Sequence, residues 1–495
     1  MPDAILAIDQ GTTSSRTLVV GTDGTILHAA QEEFPQIYPA DGWVEHDPEA
    51  IWATVEATLT ACRDWCAANA YAPKAIGITN QRETTLVWDR ETGECLYNAV
   101  VWQDRRTAER CRALARAMPG PQLQAKTGLL HDPYFSATKI AWILDHVEGA
   151  RTRAEAGELC FGTMDSFLIW RLTAQSGGKP VHATDATNAS RTNLYNIRDG
   201  RWDEALLALF GVPGAGLPDV RDCVDDYGRW APDGGEGIPI RGVAGDQQAA
   251  AIGQLCIRPG DIKSTYGTGC FVILNTGAEC LSSDNRLLST IAYRIGGHTT
   301  YALEGSIFIA GAGVQWLRDE MGLVETAEQT QAICERLDGN HGVYLVPAFT
   351  GLGAPYWEPD ARGALFGLTR DTGRDHVVRA TVESVVYQTH DLFEAMAKDG
   401  AHPKSLRVDG GMVANDWMVG HLADVLDLPV ERPVVLETTA MGAAYLAMIG
   451  AGMADGLDDL SALWSRDRLF EPGMSADGRK TLLDGWADCV RRLLA

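Results

Sequence analysis

Residues 4–30, AILAIDQGTTSSRTLVVGTDGTILHAA, contain the pattern from which we predict the fold of this chain. Its β-branched and apolar runs at 4–8, 17–20 and 25–30 predict three strands, since turn-forming glycine, threonine and serine separate them. Residues 261–275 repeat part of this pattern, with strand-like runs on both sides of Gly267-Thr268-Gly269. The repeat predicts two similar domains with a ligand cleft between them.

Strands and helices alternate outward from both stretches, which predicts an α/β architecture. The first helix is expected near Asp47-Pro48, because aspartate caps helices and proline suits their first turn. Further helices are predicted at 136–147, 167–172, 247–255, 377–397 and 415–426, and further strands at 75–79, 238–244 and 405–408. We place the boundary between the two domains after residue 250, which gives domains of residues 1–250 and 251–495.

The composition excludes several classes of function. A net charge of −24 argues against a nucleic-acid or anionic-membrane surface, but a phosphorylated ligand needs only a local positive site. No apolar run approaches the roughly 18 residues of a membrane span, so no membrane insertion is expected. The 11 cysteines follow no zinc-ligand spacing and the N-terminus lacks a signal-peptide pattern, so we expect a reduced, cytoplasmic protein.

The segment DQGTTSSR, residues 9–16, is a candidate phosphate turn. Asp9 ends a strand, Gly11 permits a tight turn, and hydroxyl side chains with backbone N–H groups follow. Such a turn can hold phosphate oxygens while the carboxylate holds a hydrated Mg²⁺. The alternative is an ordinary hairpin. The glycine patterns of a P-loop and of a dinucleotide-binding fold do not occur in this sequence.

Adjacent Arg82 and Glu83 follow an apolar strand and suit a polyol. Arginine donates in a fork and glutamate accepts, so the pair can bind neighbouring hydroxyls; a solvated strand end is the alternative. Tyr134 can add a hydroxyl or simply pack. Trp102 and Phe271 are core aromatics by default, although the carbon face of a carbohydrate-like ligand would need such an apolar wall.

Asp246 stands within GVAGDQQAAA, residues 242–251, a run that is otherwise small, apolar or amide-bearing. The apolar strand before it leads into the molecule, which would desolvate the carboxylate. A kinase needs a group that takes the proton of the attacking hydroxyl, and a placed aspartate can do so. The alternative is a helix N-cap that accepts from the N–H of Gln248 or Ala249.

Taken together and in order, these motifs resemble the FGGY family of carbohydrate kinases, from residue 5 to about residue 470. The Arg82-Glu83 pair, Tyr134 and the Asp246-Gln247 step are similar to those of members that act on glycerol. The matching segments are DQGTTSSR (9–16), NQRETT (80–85), WQDRR (102–106), DPYFS (132–136), GDQQAA (245–250), YGTGCF (266–271) and DGG (409–411).

The resemblance implies two actin-like, ribonuclease-H-like domains with a central cleft, and an ATP-dependent kinase that converts glycerol to sn-glycerol 3-phosphate in glycerol metabolism. It implies a homodimer or homotetramer. Glycerol would contact Arg82, Glu83, Tyr134, Asp246, Gln247, Trp102 and Phe271. The nucleotide would contact Thr12, Thr13, Ser14 and Arg16 from the first domain, and Thr268, Gly311, Gln315, Gly411 and Asn415 from the second. Asp9 and Asp246 would lie near Mg²⁺, and Asp246 would be the general base.

One loop departs from the family pattern. Feedback-inhibited bacterial members carry a Gly-Gly-x-Arg loop that receives fructose 1,6-bisphosphate, whereas residues 234–237 here read Gly-Gly-Glu-Gly. An acid would repel a bisphosphate, so we expect weak or absent inhibition. Some members are activated through a loop histidine, and no histidine lies between His182 and His298.

Two other activities stay open from the residues alone. One is an FGGY kinase for erythritol, dihydroxyacetone or a pentulose, which would need room where Trp102, Tyr134 and Phe271 stand. The other is an actin-like or chaperone ATPase that phosphorylates no small molecule. Such an ATPase needs the phosphate turns but has no use for the Arg82-Glu83 pair in the cleft.

Overall fold

Two large β-sheets organise the computed structural model, which describes residues 1–358 and 360–495. The first sheet contains β1 (Asp3–Gln10), β2 (Ser14–Gly21), β3 (Ile26–Glu33), β5 (Ala72–Asn80), β13 (Arg229–Trp230) and β14 (Ile238–Gly245). The second contains β15 (Ile262–Tyr266), β16 (Cys270–Gly277), β17 (Leu288–Ile295), β18 (His298–Ile307), β21 (Leu406–Asp409), β22 (Val430–Pro433) and β23 (Arg466–Phe470).

Both halves also contain smaller sheets. One consists of β4 (Glu45–His46), β6 (Thr85–Asp89), β7 (Ala99–Val100) and β8 (Leu159–Thr163). Three two-stranded sheets pair β9 (Ala183–Asp185) with β12 (Asp219–Arg221), β10 (Tyr195–Asn196) with β11 (Arg201–Trp202), and β19 (Tyr344–Val346) with β20 (Ala364–Phe366).

Helices connect and cover these sheets. They are α1 (Pro48–Ala68), α2 (Ala108–Ala117), α3 (Gly120–Thr127), α4 (Ser136–His146), α5 (Ala150–Glu155), α6 (Met164–Ala174), α7 (Ala186–Ala189), α8 (Glu204–Phe210), α9 (Asp246–Gly253), α10 (Gly311–Asp319), α11 (Gln329–Arg336), α12 (Arg374–Lys398), α13 (Asp416–Leu426), α14 (Thr438–Gly450) and α15 (Ala476–Leu493), with 3₁₀ turns at Gly214–Gly216, Gly411–Ala414 and Leu457–Leu463. Among the described residues, no helix combines the length and the apolar character that crossing a membrane requires.

The two large sheets repeat one topology. In the first, β1 pairs with β2 in antiparallel and with β5 in parallel orientation, and β5 pairs in parallel with β14. In the second, β15 pairs with β16 in antiparallel and with β21 in parallel orientation, and β21 pairs in parallel with β22. The repeat that the sequence predicted is therefore confirmed, and so is the α/β fold of two similar halves.

The predicted elements agree with the structure to within a few residues. Asp47 caps α1 and accepts from the N–H of Glu49 at 2.9 Å, with Pro48 as the first helical residue. The helices predicted at 136–147 and 247–255 are α4 and α9. The third strand is longer than predicted and runs to Glu33, because its outer end pairs with the start of β2.

The cores lie on both faces of the first sheet. One face packs against α1 and α6, and the other packs against α14 from the second half of the chain, where Ala443 and Leu446 meet Ile5 and Ala7. Helix α9 follows β14 and contacts α14 on one side and the second sheet on the other. The two halves thus share a buried helical layer, and the proposed boundary after residue 250 falls inside α9.

The parallel strands of the first sheet bring three motifs to one edge. The register aligns Asp9 with Thr79 and Thr79 with Ala244, so β1, β5 and β14 end at the same level. Residues that follow the carboxyl ends of parallel strands face a common crevice. Asp9, Arg82 and Asp246 therefore meet there, although they are far apart in sequence.

Candidate active site

A cavity of about 470 Å³ lies at this edge, between the two sheets. Residues of both halves line it, and most of them belong to the predicted polyol and phosphate motifs. The lining residues are Thr12, Thr13, Gln36, Tyr38, Arg82, Glu83, Trp102, Gln103, Tyr134, Asp246, Gln247, Thr265, Gly267, Thr268, Gly269, Phe271 and Gln315.

Asp246 begins α9 and points into this cavity. Its side chain keeps 29% of its exposure, because one side faces the cavity while protein surrounds the rest. Burial raises the pKa of its carboxyl group, and the nearby charges of Arg82 and Lys263 oppose that shift. The residue at the N-cap of α9 is Gly245, and Asp246 Oδ1 accepts from the N–H of Gln247 at 2.7 Å. Asp246 therefore does not accept from the N–H of Gln248 or Ala249, which was the alternative that the sequence left open.

Arg82 is the best-anchored group in the cavity. Its Nη1 and Nη2 donate in a fork to Glu304 at 2.6 and 3.0 Å, and also to Gln248 Oε1 and Tyr134 Oη, each at 3.3 Å. Its Nε lies 3.1 Å from Asp246 Oδ1. Burial alone would lower the pKa of Arg82, but Glu304 and Glu83 raise it well above its usual value, so the guanidinium stays charged.

The close approach of Arg82 to Asp246 depends on Gly245. A Cβ at this position would lie only 2.8 Å from Cγ and 2.9 Å from Cδ of Arg82, closer than side-chain contacts allow. Packing therefore favours glycine at position 245, because the missing side chain lets the Arg82 guanidinium lie beside the Asp246 carboxylate.

Glu83 adopts a left-handed backbone conformation, with φ +59°. Such a conformation is strained for a residue other than glycine and is often found at functional sites. The hydroxyls of Thr85 and Ser136 donate to the Glu83 carbonyl at 2.9 and 3.0 Å, which holds the backbone in place. Its carboxylate accepts from Arg191 Nε at 2.6 Å.

An aromatic wall closes one side of the cavity. The ring of Trp102 meets those of Tyr134 and Phe271 edge to face, at centroid distances of 5.7 and 6.1 Å. Trp102 Nε1 donates to Thr12 Oγ1 at 3.0 Å, which ties the wall to the phosphate turn. Tyr134 is buried, and Lys139 Nζ donates to its carbonyl at 2.6 Å. The arrangement offers an apolar face opposite Arg82 and Asp246.

Asp9 and Asp246 form a pair of carboxylates that fits a divalent cation. Burial and the charge of Asp246 raise the pKa of Asp9 to about 7, while Arg16 opposes the shift. Within residues 1–358 and 360–495, no cluster of three or more potential metal ligands occurs. Mg²⁺ commonly needs only one or two protein carboxylates when phosphates and water complete its shell. Two mutually repelling carboxylates next to a phosphate turn match that donor set.

The four predicted nucleotide residues of the first half divide into two pairs. Thr12 and Thr13 line the cavity. Ser14 and Arg16 share one face of β2, where Ser14 Oγ accepts from Gln31 Nε2 at 3.1 Å and Arg16 forms an ion pair with Glu437. Thr12 and Thr13 precede this strand, in the turn, so the start of β2 separates the two pairs.

A second cavity of about 630 Å³ opens next to the first and shares Gly267, Thr268 and Gln315 with it. It contains all five predicted nucleotide residues of the second half, which are Thr268, Gly311, Gln315, Gly411 and Asn415. Val314, Ala327 and Met412 supply apolar surface suited to a flat base. The turn at Gly267 is fixed because the N–H of Gly311, at the start of α10, donates to the Gly267 carbonyl at 2.9 Å.

The backbone at Gly410 allows a close approach between β15 and β21. Its φ is +92°, and a Cβ there would lie 2.5 Å from the carbonyl oxygen of Tyr266. Glycine is therefore required at this position. Asp409, just before it, is buried and accepts from Gln254 and Thr438 at 2.9 and 2.7 Å, which ties the strand end to α9 and α14.

Three charged residues around the cavity were not predicted from the sequence. Glu304 on β18 and Arg191 after α7 are fully buried and bind one another at 2.9 Å. Lys263 on β15 donates to Gln247 Oε1 at 2.6 Å and to Thr265 Oγ1 at 2.8 Å. No local motif marks Glu304 or Lys263 as functional, and their strands, β18 and β15, contain other polar residues as well, so the sequence gives no signal that singles them out.

Comparison with known proteins places these features in a family. The N-terminal domain of the FGGY family of carbohydrate kinases matches residues 4–253, and the C-terminal domain of that family matches residues 262–451. The two matched regions span the first sheet and most of the second.

Individual relatives match over the whole length. The chain is 61% identical over 492 residues to a glycerol kinase from Rhodospirillum centenum, which covers 99% of this chain and 97% of that protein. It is 56% identical to a glycerol kinase from Alteromonas mediterranea, covering 100% of this chain and 99% of that protein. Its structure matches that of Plasmodium falciparum glycerol kinase with ADP at a TM-score of 0.92 and 35% identity, covering 100% of this chain and 99% of that one.

Proposed function

The chain belongs to the FGGY family of carbohydrate kinases, and we propose that it transfers the γ-phosphoryl group of ATP to a terminal hydroxyl of glycerol. The product is sn-glycerol 3-phosphate. The observation that carries this function is the cavity in which Asp246, the Arg82-Glu83 pair and the aromatic wall face one another beside two phosphate turns. The full-length relatives are glycerol kinases, which supports the same acceptor.

In the proposed mechanism, Asp246 takes the proton of the terminal hydroxyl as that oxygen attacks the γ-phosphorus. A bond forms between the glycerol oxygen and phosphorus, the bond to the β-phosphate oxygen breaks, and ADP leaves. Arg82 and Lys263 oppose the rise that burial causes in the pKa of Asp246, which favours the carboxylate form that accepts the proton. Gln247, fixed by Lys263, is placed to bind a neighbouring hydroxyl.

The other residues align the reactants. Thr12 and Thr13 on one side and Thr268 on the other flank the cavity where the phosphates would lie, and Gln315 joins this cavity to the one proposed for the nucleotide. Asp9 and Asp246 would hold Mg²⁺, which neutralises phosphate charge when bound. Most of the rate enhancement then comes from alignment in a site from which water is excluded.

The aromatic wall argues for a small acceptor. A pentulose would need room where Trp102, Tyr134 and Phe271 stand, and these rings contact one another. An ATPase without a small acceptor gives no account of the charged side chains that face the wall. We therefore favour glycerol over both alternatives.

The test is ADP release from Mg-ATP, measured alone and with glycerol, erythritol, dihydroxyacetone or a pentulose. We expect turnover that depends on glycerol and is much faster than hydrolysis without an acceptor. Equal rates with and without glycerol would identify an ATPase, and turnover with a pentulose but not with glycerol would identify a sugar kinase.

Shortening the aromatic wall is expected to weaken glycerol binding and to relax selectivity. Trp102→Ala removes the apolar surface and the bond to Thr12, so KM for glycerol should rise roughly tenfold while activity with erythritol relative to glycerol increases. Steady-state kinetics with both polyols measure this. Trp65→Ala is the control, because Trp65 lies on α1, stacks on His28 and Tyr71 and lines neither cavity, and it should keep the KM of the parent.

We expect weak or absent inhibition by fructose 1,6-bisphosphate. Glu236 lies in an exposed loop, and the nearby Arg229 donates to the carbonyl groups of Glu236 and Gly237, so that arginine is already engaged. Initial rates with millimolar-range effector should be equal or nearly equal to those without it. A fall in rate that dilution reverses would contradict this expectation.

We further propose a cytoplasmic homodimer or homotetramer, on the likeness to the family.

A further inference from the structure

Glu304 connects the second sheet to the acceptor side of the cavity. It stands on β18 and is fully buried. Its two carboxylate oxygens accept the fork of Arg82 at 2.6 and 3.0 Å, and Oε1 also accepts from Arg191 Nη2 at 2.9 Å. Burial would raise the pKa of Glu304, but Arg191 and Arg82 hold it at about 2, so it is ionised.

This contact fixes the plane of the Arg82 guanidinium. A two-point bond between a guanidinium and a carboxylate sets both distance and orientation. With both Nη atoms engaged by Glu304, Gln248 and Tyr134, only Nε is directed toward Asp246, at 3.1 Å. The position of Asp246 relative to the Arg82 guanidinium thus depends on Glu304, which comes from the second half of the chain.

Arg191 completes the arrangement. It bridges Glu83 at 2.6 Å and Glu304 at 2.9 Å, and its guanidinium lies 5.4 Å from the centroid of the Phe135 ring. Arg82 and Arg191 thus lie between the buried carboxylates of Glu83 and Glu304, so removing one member of this group leaves a buried charge without one of its partners.

We propose that Glu304, with Arg191, is a positioning residue for glycerol phosphorylation: it holds Arg82 in the orientation that places Asp246 and the acceptor hydroxyl for transfer. The inference rests on the proposed function. It adds that the acceptor pocket is assembled from both halves of the chain, since the residue that orients Arg82 comes from β18. Glu304 itself lies behind Arg82, is not among the residues that line the cavity, and acts through Arg82.

The test compares the parent enzyme with Glu304→Gln in separate titrations of glycerol and ATP. Glutamine keeps the shape but accepts with one oxygen only, so Arg82 loses the two-point bond. We expect KM for glycerol to rise about tenfold or more and kcat to fall, while KM for ATP stays within about twofold of the parent. A purely structural role would lower stability but would leave KM for glycerol unchanged.

Two further variants separate positioning from folding. Glu383→Gln is the matched control, because Glu383 is equally buried and its carboxylate is bound to Arg379 at 2.7 Å and to Tyr387 at 3.0 Å, away from the cavity. It should lower the melting temperature but keep KM for glycerol. The double variant Arg191→Gln/Glu304→Gln removes one charge of each sign, so it should recover stability and still show the raised KM.

The outcomes are distinct. If the parent does not phosphorylate glycerol, the proposed function fails and the inference falls with it. If the parent does so and Glu304→Gln has a parental KM for glycerol, the inference alone is overturned. If Glu304→Gln does not accumulate as folded protein, the double variant is measured instead. A raised KM for glycerol in the double variant supports the inference, and a parental KM overturns it.

Discussion

Replacing Asp246 with asparagine is expected to lower kcat by about 10²–10⁴-fold, the range that a positioned general base contributes. Asparagine has nearly the same shape but accepts no proton at the moment of transfer. Glycerol should still bind, since Arg82 remains anchored by Glu304 and the aromatic wall is unchanged. Steady-state kinetics give kcat, and calorimetric titration with glycerol measures the binding that remains.

Asp391→Asn is the control for this experiment. Asp391 Oδ2 accepts from Trp486 Nε1 and Tyr356 Oη, both at 2.8 Å, in the core of the second half and away from the cavity. Both bonds end on one oxygen, which the amide oxygen of asparagine can replace, so the variant should retain parental kcat. If the kcat of Asp246→Asn stays within about tenfold of the parent value, Asp246 is not the general base.

Replacing Arg82 with methionine is expected to affect both stability and activity. Methionine fills much of the volume but leaves Glu304 with Arg191 as its remaining partner and Asp246 with Lys263 as the nearby cation. Breaking a buried ion pair in this way costs about 3–5 kcal/mol. The denaturant midpoint, followed by tryptophan fluorescence, should fall, and glycerol-dependent turnover should be lost.

Arg379→Met provides the comparison. It breaks the buried pair with Glu383 on α12, so its unfolding midpoint should also fall. The folded fraction should nevertheless keep the parental KM for glycerol. Equal KM values in Arg82→Met and Arg379→Met would show that Arg82 has no special role at the acceptor site.

The fold could be predicted from the sequence because its signals are local. Alternating strands and glycine-rich turns at 4–30 and 261–275 identified the two hairpins, and turn chemistry identified the strand ends at Asp9 and Asp409. Asp9, Arg82 and Asp246 could be grouped before the structure was known, through the resemblance of their motifs to the family. The structure adds the physical reason, because the parallel pairing of β1, β5 and β14 brings these residues to one edge.

The rest of the site depends on contacts between distant segments. Arg82 and Glu304 are 222 positions apart, and nothing near Glu304 distinguishes it from other strand residues. The fork of Arg82, which the sequence suggested for hydroxyls of the substrate, is bound to Glu304 instead. The helix α14, which covers the first sheet, comes from the second half, so a division by sequence alone does not capture the shared core.

The phosphate turn illustrates a second limit. Its hydroxyl-rich motif continues from Thr12 through Arg16, but β2 begins at Ser14. From there the side chains alternate. Ser15 is buried and accepts from Thr54 Oγ1 at 2.8 Å, whereas Ser14 and Arg16 point to the opposite face of the sheet and contact Gln31 on β3. The start of a strand, rather than the composition of the motif, determines which hydroxyls face the cavity.

Transfer of phosphate from ATP to glycerol in the cavity can be measured by ³¹P NMR of the reaction mixture. With Mg-ATP and glycerol, the parent enzyme should produce sn-glycerol 3-phosphate in equal amount to ADP, and Asp246→Asn should produce almost none in the same time. The appearance of inorganic phosphate in place of the phosphomonoester would contradict the account.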